Sequence, residues 1–393
     1  MFLLLKNANV FSPFALGMKD ILIAGERIAA VDKSLCVKGL PALETIDLSG
    51  CSITPGFVDG HVHLTGGGGE GGYQTRTPEV MLSTLTKAGI TTVVGLLGTD
   101  CITRHPVSLF AKAKALTADG ISAYMLTGGY QVPACTITGS VSDDVALIDI
   151  VIGLKTAVSD HRSSHPSTEE LIRLASQARV AGMLANKAGR LIVHIGGSSD
   201  YLAPLEAVIE QSDIPVEQLL PTHVNRSGAL AEHAMRWLGQ GGFIDITAGI
   251  NPEKGARNGV KPSSLIHQCV DNGLALERVC LSSDGNGSIP DFSADGRFLG
   301  LKVAGFGSLL DEFRVLLNQH NLPVEQALIP LTKAPSECLG LSGRKGGIEP
   351  GKDADLLVFD SNMQLRYTIA RGQIMVCQGQ AVVHGQYETT EHA

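Results

Sequence analysis

Eight apolar, strand-like runs recur through the middle of the chain, at residues 53–64, 91–97, 121–128, 148–158, 191–195, 219–224, 243–247 and 278–282. A segment of helical pattern separates each run from the next. Strand–helix units of roughly 30 residues, repeated eight times, argue for a (β/α)8 barrel of the TIM type. A doubly wound open sheet is the structural alternative. It finds no support in a Gly-x-Gly-x-x-Gly with a strand before it and a helix after it. The first connecting helix is predicted to start at Thr77-Pro78, with threonine as cap and proline as first helical residue. Met81, Leu85 and Ala88 follow at helical spacing, and Gly89 ends the pattern.

Both ends of the chain read as short strands instead. Their joint β character predicts a small β-sandwich domain from residues 1–55 plus 345–393, flanking a barrel over 56–344. The 393 residues, 44% of them hydrophobic, suffice for a barrel-sized core and a smaller one. A net charge of -8 without a basic run gives no reason to expect nucleic acid or an anionic membrane surface. The eight cysteines contain no Cys-x-x-Cys pair, so neither a disulfide framework nor a zinc knuckle is expected. Five apolar residues followed by Lys6 are too few for a signal-peptide core, and no run approaches the ~20 apolar residues of a membrane span. The expectation is a soluble, cytoplasmic protein whose polar tail, residues 386–393, is frayed.

Barrel chemistry sits at the C-terminal ends of the strands. The first run ends in Val58-Asp59-Gly60-His61-Val62-His63, and residues two apart in a strand share a face. The fifth ends in His194, the sixth in His223, the eighth in Asp284, and the apolar fourth contains Lys155. Neutral imidazoles and a carboxylate suit zinc or a similar divalent ion. A lysine ammonium cannot ligate a metal. Burial favours the neutral amine, which can react with carbon dioxide to form a bridging carbamate. Equally open from the residues alone is a Lys155 head in solvent, or paired with Asp149 or Asp160. Gly66-Gly67-Gly68-Gly69-Glu70-Gly71-Gly72 follows the first run and lacks the Gly-Lys-Ser/Thr of a phosphate loop. It is either a floppy surface loop or backbone lying against a ligand with Glu70 as its one charge.

These features resemble the amidohydrolase superfamily: Pro-Gly-Phe-Val-Asp-Gly-His-Val-His from Pro55, the fourth-strand lysine, the two later histidines, the last-strand aspartate, and the return Gly-Gly-Ile-Glu-Pro-Gly-Lys-Asp-Ala-Asp-Leu from Gly346. Within it the chain is similar, end to end, to the isoaspartyl dipeptidase family. The marks are the glycine run with Glu70, Thr75-Arg76-Thr77-Pro78, Leu97-Gly98-Thr99-Asp100, Ser159-Asp160-His161-Arg162, Thr222-His223-Val224-Asn225-Arg226 and Ser283-Asp284-Gly285-Asn286-Gly287-Ser288. No position that carries chemistry departs from the pattern.

The resemblance implies two Zn2+ per subunit, bridged by carboxylated Lys155 and hydroxide. His61, His63 and Asp284 would hold one ion and His194 and His223 the other. Asp284 would be general base and acid, Tyr130 would help stabilise the oxyanion, and Glu70 would pair with the substrate's α-amino group. Arg162 and Arg226 suit its carboxylates, and Gly68, Gly69, Thr99 and Ser288 would add hydrogen bonds. The implied partners are a small dipeptide and copies of the chain itself, in an octamer, with neither nucleic acid nor membrane. The rival reading is a cyclic-amide hydrolase of dihydroorotase or hydantoinase type, which would share the ligands without needing Glu70. Lys155 speaks against a mononuclear deaminase, and the full ligand set against an inactive scaffold.

Overall fold

The computed structural model describes residues 2–292 and 297–388; the end of the expected frayed tail lies outside them. Eight parallel strands pair in chain order: Phe57–Val62, Ile90–Gly95, Ser122–Gly128, Val151–Val158, Arg190–Ile195, Leu219–Thr222, Ile244–Thr247 and Val279–Ser282. A parallel bridge between Val62 and Gly285 joins the last edge to the first. His63 N also donates to Gly285 O at 3.0 Å. The sheet is a (β/α)8 barrel, and its closure rules out the open doubly wound alternative. Its strands are buried almost throughout because side chains fill the inside while helices cover the outside, as the near-continuous apolar runs foretell.

Residues 53–64 are not one strand but two. Ser52–Pro55 belongs to a second sheet and Phe57–Val62 opens the barrel. Gly56 makes the switch where the backbone grazes the second barrel strand: a Cβ there would lie 2.2 Å from Thr91 Oγ1. The second sheet has nine strands from both ends of the chain, with Phe2–Ser12 beside Ser52–Pro55 and Leu356–Phe359 on that strand's other edge. It has its own core of Leu3, Leu5, Ile21, Ile53, Val358 and neighbours.

The first connecting helix departs from expectation. It spans only Leu82–Thr86, with Met81 at its cap, and Gly89 follows with φ of +77°. The Thr77 hydroxyl instead donates to Asn286 O and accepts from Gly67 N, both at 2.7 Å. The cap-forming group is therefore spent on a long-range contact at the barrel mouth. A hairpin of Ser288–Phe292 and Phe298–Val303, which no local pattern suggested, extends from the end of the eighth strand.

Candidate active site

The strand ends bring one group of side chains together. His61 Nε2 and His63 Nε2 lie 3.4 and 3.3 Å from Asp284 Oδ1. Ligand-type atoms of these three residues all fall within 4.8 Å of one another, a group that can hold a metal ion. His223 Nδ1 is 3.9 Å from Asp284 Oδ2, and the His61 and His223 rings are 4.8 Å apart. His223 and Asp284 both have left-handed backbone, with φ of 65° and 52°, a conformation that concentrates at functional positions. Glycines clear the space round His63: a Cβ on Gly98 would meet its ring at 2.9 Å and one on Gly287 at 3.2 Å.

Lys155 is fully buried, with Nζ 3.4 Å from His61 Nε2. Neither of the two alternative partners, Asp149 and Asp160, is there. Asp149 pairs with Lys114 at 3.4 Å, and Asp160 pairs with Arg162 and His194, both at 2.8 Å. Lys155 makes no ion pair among the described residues, and burial lowers its pKa from 10.5 to about 7. A near-neutral amine among imidazoles is the form that carboxylation requires.

His194 stands apart from the group. Its Nε2 is 2.8 Å from Asp160 Oδ2 and its Nδ1 is 2.6 Å from the Tyr130 hydroxyl, so both ring nitrogens are engaged. Its ring nevertheless lies 4.7 Å from that of His223. The other histidines show the outer contacts that orient metal ligands: His61 Nδ1 to Thr222 Oγ1 at 3.4 Å and His223 Nδ1 to Thr247 Oγ1 at 2.7 Å. Asp160 likewise holds His194 through Nε2, with Nδ1 on the Tyr130 hydroxyl. His63 Nδ1 is buried without a partner.

Burial pushes His194 down to about 3 against the opposing pull of Asp160, and carries His61 and His223 well below their usual range. Neutral imidazole is the ligating form. Burial works to raise Asp284, but the hydrogen bond from His63 and the electrostatic pull of the basic side chains around it outweigh burial and lower its pKa. Burial raises Tyr130 well above its ordinary value, so it stays a donor. The donor set fits a divalent metal centre.

A cavity of about 470 Å³ opens over these groups. Gly68, Glu70, Thr99, Tyr130, Arg162, Arg226 and Ser288 line it. Gly69 does not line it; its carbonyl closes a turn with Gly72 N at 3.0 Å. The glycine loop is pinned rather than floppy. Gly67 N donates to Asn286 O at 3.1 Å, and Gly67 O accepts from Thr77 N at 2.9 Å. Gly66 has φ of +87°, and a Cβ there would meet Thr77 O at 2.2 Å. Glu70 Oε1 lies 3.3 Å from Arg162 Nη1, while Arg162 Nε and Nη2 donate to the two oxygens of Asp160 at 3.0 and 2.8 Å. Glu70, Arg162, Asp160, His194 and Tyr130 thus form one continuous chain. Asp160, its shared member, was not foreseen as a site residue; the visible signal was an acidic residue just beyond the fourth strand. Arg257, on the cavity wall, carried no such signal.

The model of the amidohydrolase family matches residues 52–375, and the chain belongs to that family. The β-aspartyl dipeptidase of Fervidobacterium islandicum AW-1, solved in complex with the β-Asp-Leu dipeptide, is 39% identical, covers 97% of each chain and superposes with a TM-score of 0.89. Inside the family the chain therefore falls with the β-aspartyl dipeptidases. The dihydropyrimidinase of Brevibacillus agri shares the fold at 17% identity, covering 98% of this chain and 97% of its own, with a TM-score of 0.68. An adenine deaminase of Lactobacillus delbrueckii subsp. bulgaricus is 25% identical over 372 residues, 91% of this chain; the chain spans only 56% of that protein's length.

Proposed function

We propose that the chain is a binuclear-metal dipeptidase that hydrolyses the β-linked peptide bond of isoaspartyl dipeptides. The observation that carries this reading is the placement of Glu70, a carboxylate, in the same cavity as Asp284, His63 and Arg226. An isoaspartyl dipeptide keeps a free α-amino and a free α-carboxylate beside the scissile bond, so it needs a carboxylate and a cation close to the hydrolytic group.

In our reading His61, His63 and Asp284 would hold one zinc ion, His194 and His223 a second, and carboxylated Lys155 would lie between them. Bound there, the ions would supply a water nucleophile at neutral pH and polarise the scissile carbonyl. Asp284, held ionised, takes the proton of the attacking water and returns it to the leaving amine. Tyr130, held protonated, donates to the developing oxyanion. Glu70 receives the α-ammonium and Arg226 the α-carboxylate. Arg162 keeps Glu70 in place and shares its Nη1 edge with substrate. Gly68, Thr99 and Ser288 add hydrogen bonds, and Gly69 shapes the loop behind them.

We further assign residues 1–55 with 345–393 to one domain and 56–344 to the other. The proposed setting is the cytoplasm, where the eight free cysteines stay reduced. Among the described residues no helix is long and apolar enough to cross a membrane. The proposed assembly is a homo-oligomer, an octamer as in the family it resembles.

The test is an assay of the purified protein on isoAsp-Leu, Asp-Leu, N-acetyl-isoAsp-Leu and dihydroorotate, with metal analysis. Turnover of isoAsp-Leu alone, with about two ions per chain, is the expected result. Equal cleavage of the acetylated and free dipeptides removes Glu70 as reader of the amine. Turnover of dihydroorotate alone favours the cyclic-amide reading.

A further inference from the structure

Four arginines line the cavity, and their charges are not equally available. Arg104 Nη1 lies 3.5 Å from Asp100 Oδ2, and its Nε and Nη2 donate to the carbonyls of Thr65 and Thr77. Arg162 is matched by Asp160 and touches Glu70, so these three side chains together carry one surplus negative charge. Arg226 and Arg257 form no ion pair among the described residues, and Arg226 Nε is buried without a partner. Apart from the metal-ligating group, the wall thus offers one surplus negative charge and two free positive ones. An isoaspartyl dipeptide is its complement: one ammonium and two carboxylates.

The two free cations sit differently. Arg226 is on the reaction side, where its charge helps to hold His194 and His223 neutral. Arg257 is exposed on the wall that the cavity shares, with Gly249, Gly255 and Ile289, with a second cavity of about 550 Å³. The loop that carries Arg257 is anchored by the fully buried Asn225. Its Nδ2 donates to the carbonyls of Thr247, Ile250 and Val260, each at 3.1 Å, and its Oδ1 accepts from Thr247 N at 3.0 Å. Asn225 immediately precedes Arg226, so one residue sets both cations relative to each other.

We propose that Arg257 receives the C-terminal carboxylate of the residue released from the isoaspartyl dipeptide, and is a specificity-determining residue for that half of the substrate. The inference rests on the dipeptidase reading above. A guanidinium matches a carboxylate with two parallel hydrogen bonds, and an arginine with no partner of its own gives up none to do so.

The test crosses one substitution with one substrate change. Arg257→Gln removes the charge at an exposed position, and unchanged melting temperature and metal content check that nothing else moved. The KM for isoAsp-Leu rises about 10- to 100-fold, the range for a lost hydrogen bond to a charged group, while kcat changes far less. The C-terminal amide of isoAsp-Leu has a raised KM with the unsubstituted enzyme, and Arg257→Gln does not raise it further. Arg257→Lys recovers part of the loss. An equal rise for acid and amide, or no rise for either, overturns the assignment of Arg257 and leaves the dipeptidase reading standing. Failure of the unsubstituted enzyme on isoAsp-Leu overturns that reading and the inference with it.

Discussion

Two buried lysines sit at opposite ends of the barrel and are treated in opposite ways. Lys345 packs against Ser122, the first residue of the third barrel strand, with Nζ 2.6 Å from its hydroxyl. The same ammonium is 2.7 Å from Asp353 and 2.5 Å from Asp355, which lead into the terminal sheet at Leu356. Burial alone would lower Lys345, but the two carboxylates outweigh it and raise its pKa. Lys155, equally buried at the other end, forms no ion pair among the described residues, and burial outweighs the pull of Asp284 and Asp245 to lower its pKa to about 7. A compensated buried charge joins two parts of a fold. One whose burial outweighs its carboxylate neighbours has a cost in stability that the fold tolerates for chemistry.

The comparison predicts that changes at the mouth remove activity and spare stability, and that changes at the seam do the reverse. The largest effect is expected from Lys155→Ala. It should lose all but a trace of turnover, and short-chain carboxylic acids added to the assay should restore part of it. Unmodified Lys155 beside two fully occupied metals in a crystal structure would contradict the carboxylation. Next comes Asp284→Asn, which keeps substantial metal while kcat falls ~10²–10⁴-fold, the scale of a lost general acid–base group. A metal-loaded Asp284→Asn variant of normal turnover would take Asp284 out of proton transfer.

At the seam, Lys345→Met strands two carboxylates beside Ser122. Breaking a buried pair by removing one partner costs about 3–5 kcal/mol, and the denaturation midpoint should fall accordingly. Arg27 and Arg344 still reach Asp353 Oδ1, at 2.9 and 3.1 Å, which favours the lower end of that range. Steady-state assay of the folded fraction should show kcat within about twofold of the unsubstituted enzyme, as expected for a residue at the end of the barrel away from the chemistry. A large loss of kcat at unchanged stability would show that the seam acts on the mouth.

The mouth was far more legible in the sequence than the seam. His61, His63, His194, His223 and Asp284 are ligand types set at the ends of apolar runs, so strand period and barrel architecture place them near one another before any coordinates exist. Lys155 was conspicuous as a charge inside such a run. Asp353 and Asp355 lie in a polar return segment, where acidic residues normally face solvent, and only the contact between sheet and barrel gives them Lys345. Thr77-Pro78 shows the same limit from the other side. Its local chemistry does describe a helix start, but the hydroxyl gains more from Gly67 and Asn286, residues that the folded mouth brings to it. Asp160 and Arg257 were missed because their value lies in what they pair with, or fail to pair with, across loops.

The finest test of the comparison is the sign of its pH dependence. Lys345 has a folded pKa above 10.5, so its stabilisation is complete below that value and lost as pH rises through the folded one. Asp353 has a folded pKa below 3.8, so its share is present above 3.8 and lost as pH falls through the folded value. Between about pH 5 and pH 9 the seam therefore contributes a constant amount. Lys155 behaves otherwise in metal-stripped, unmodified protein. Below about 7 the folded and unfolded states both hold its proton, and the burial penalty is complete. From about 7 to 10.5 the folded state has released the proton while the unfolded state keeps it, so stability rises with pH. Denaturant midpoints of the stripped enzyme, Lys155→Met and Lys345→Met at about pH 6 and pH 9 separate the cases. The stripped enzyme should gain on Lys155→Met as pH rises, while its lead over Lys345→Met stays flat. If both differences stay flat, Lys155 carries a compensating anion even without metal, and the two lysines are alike after all.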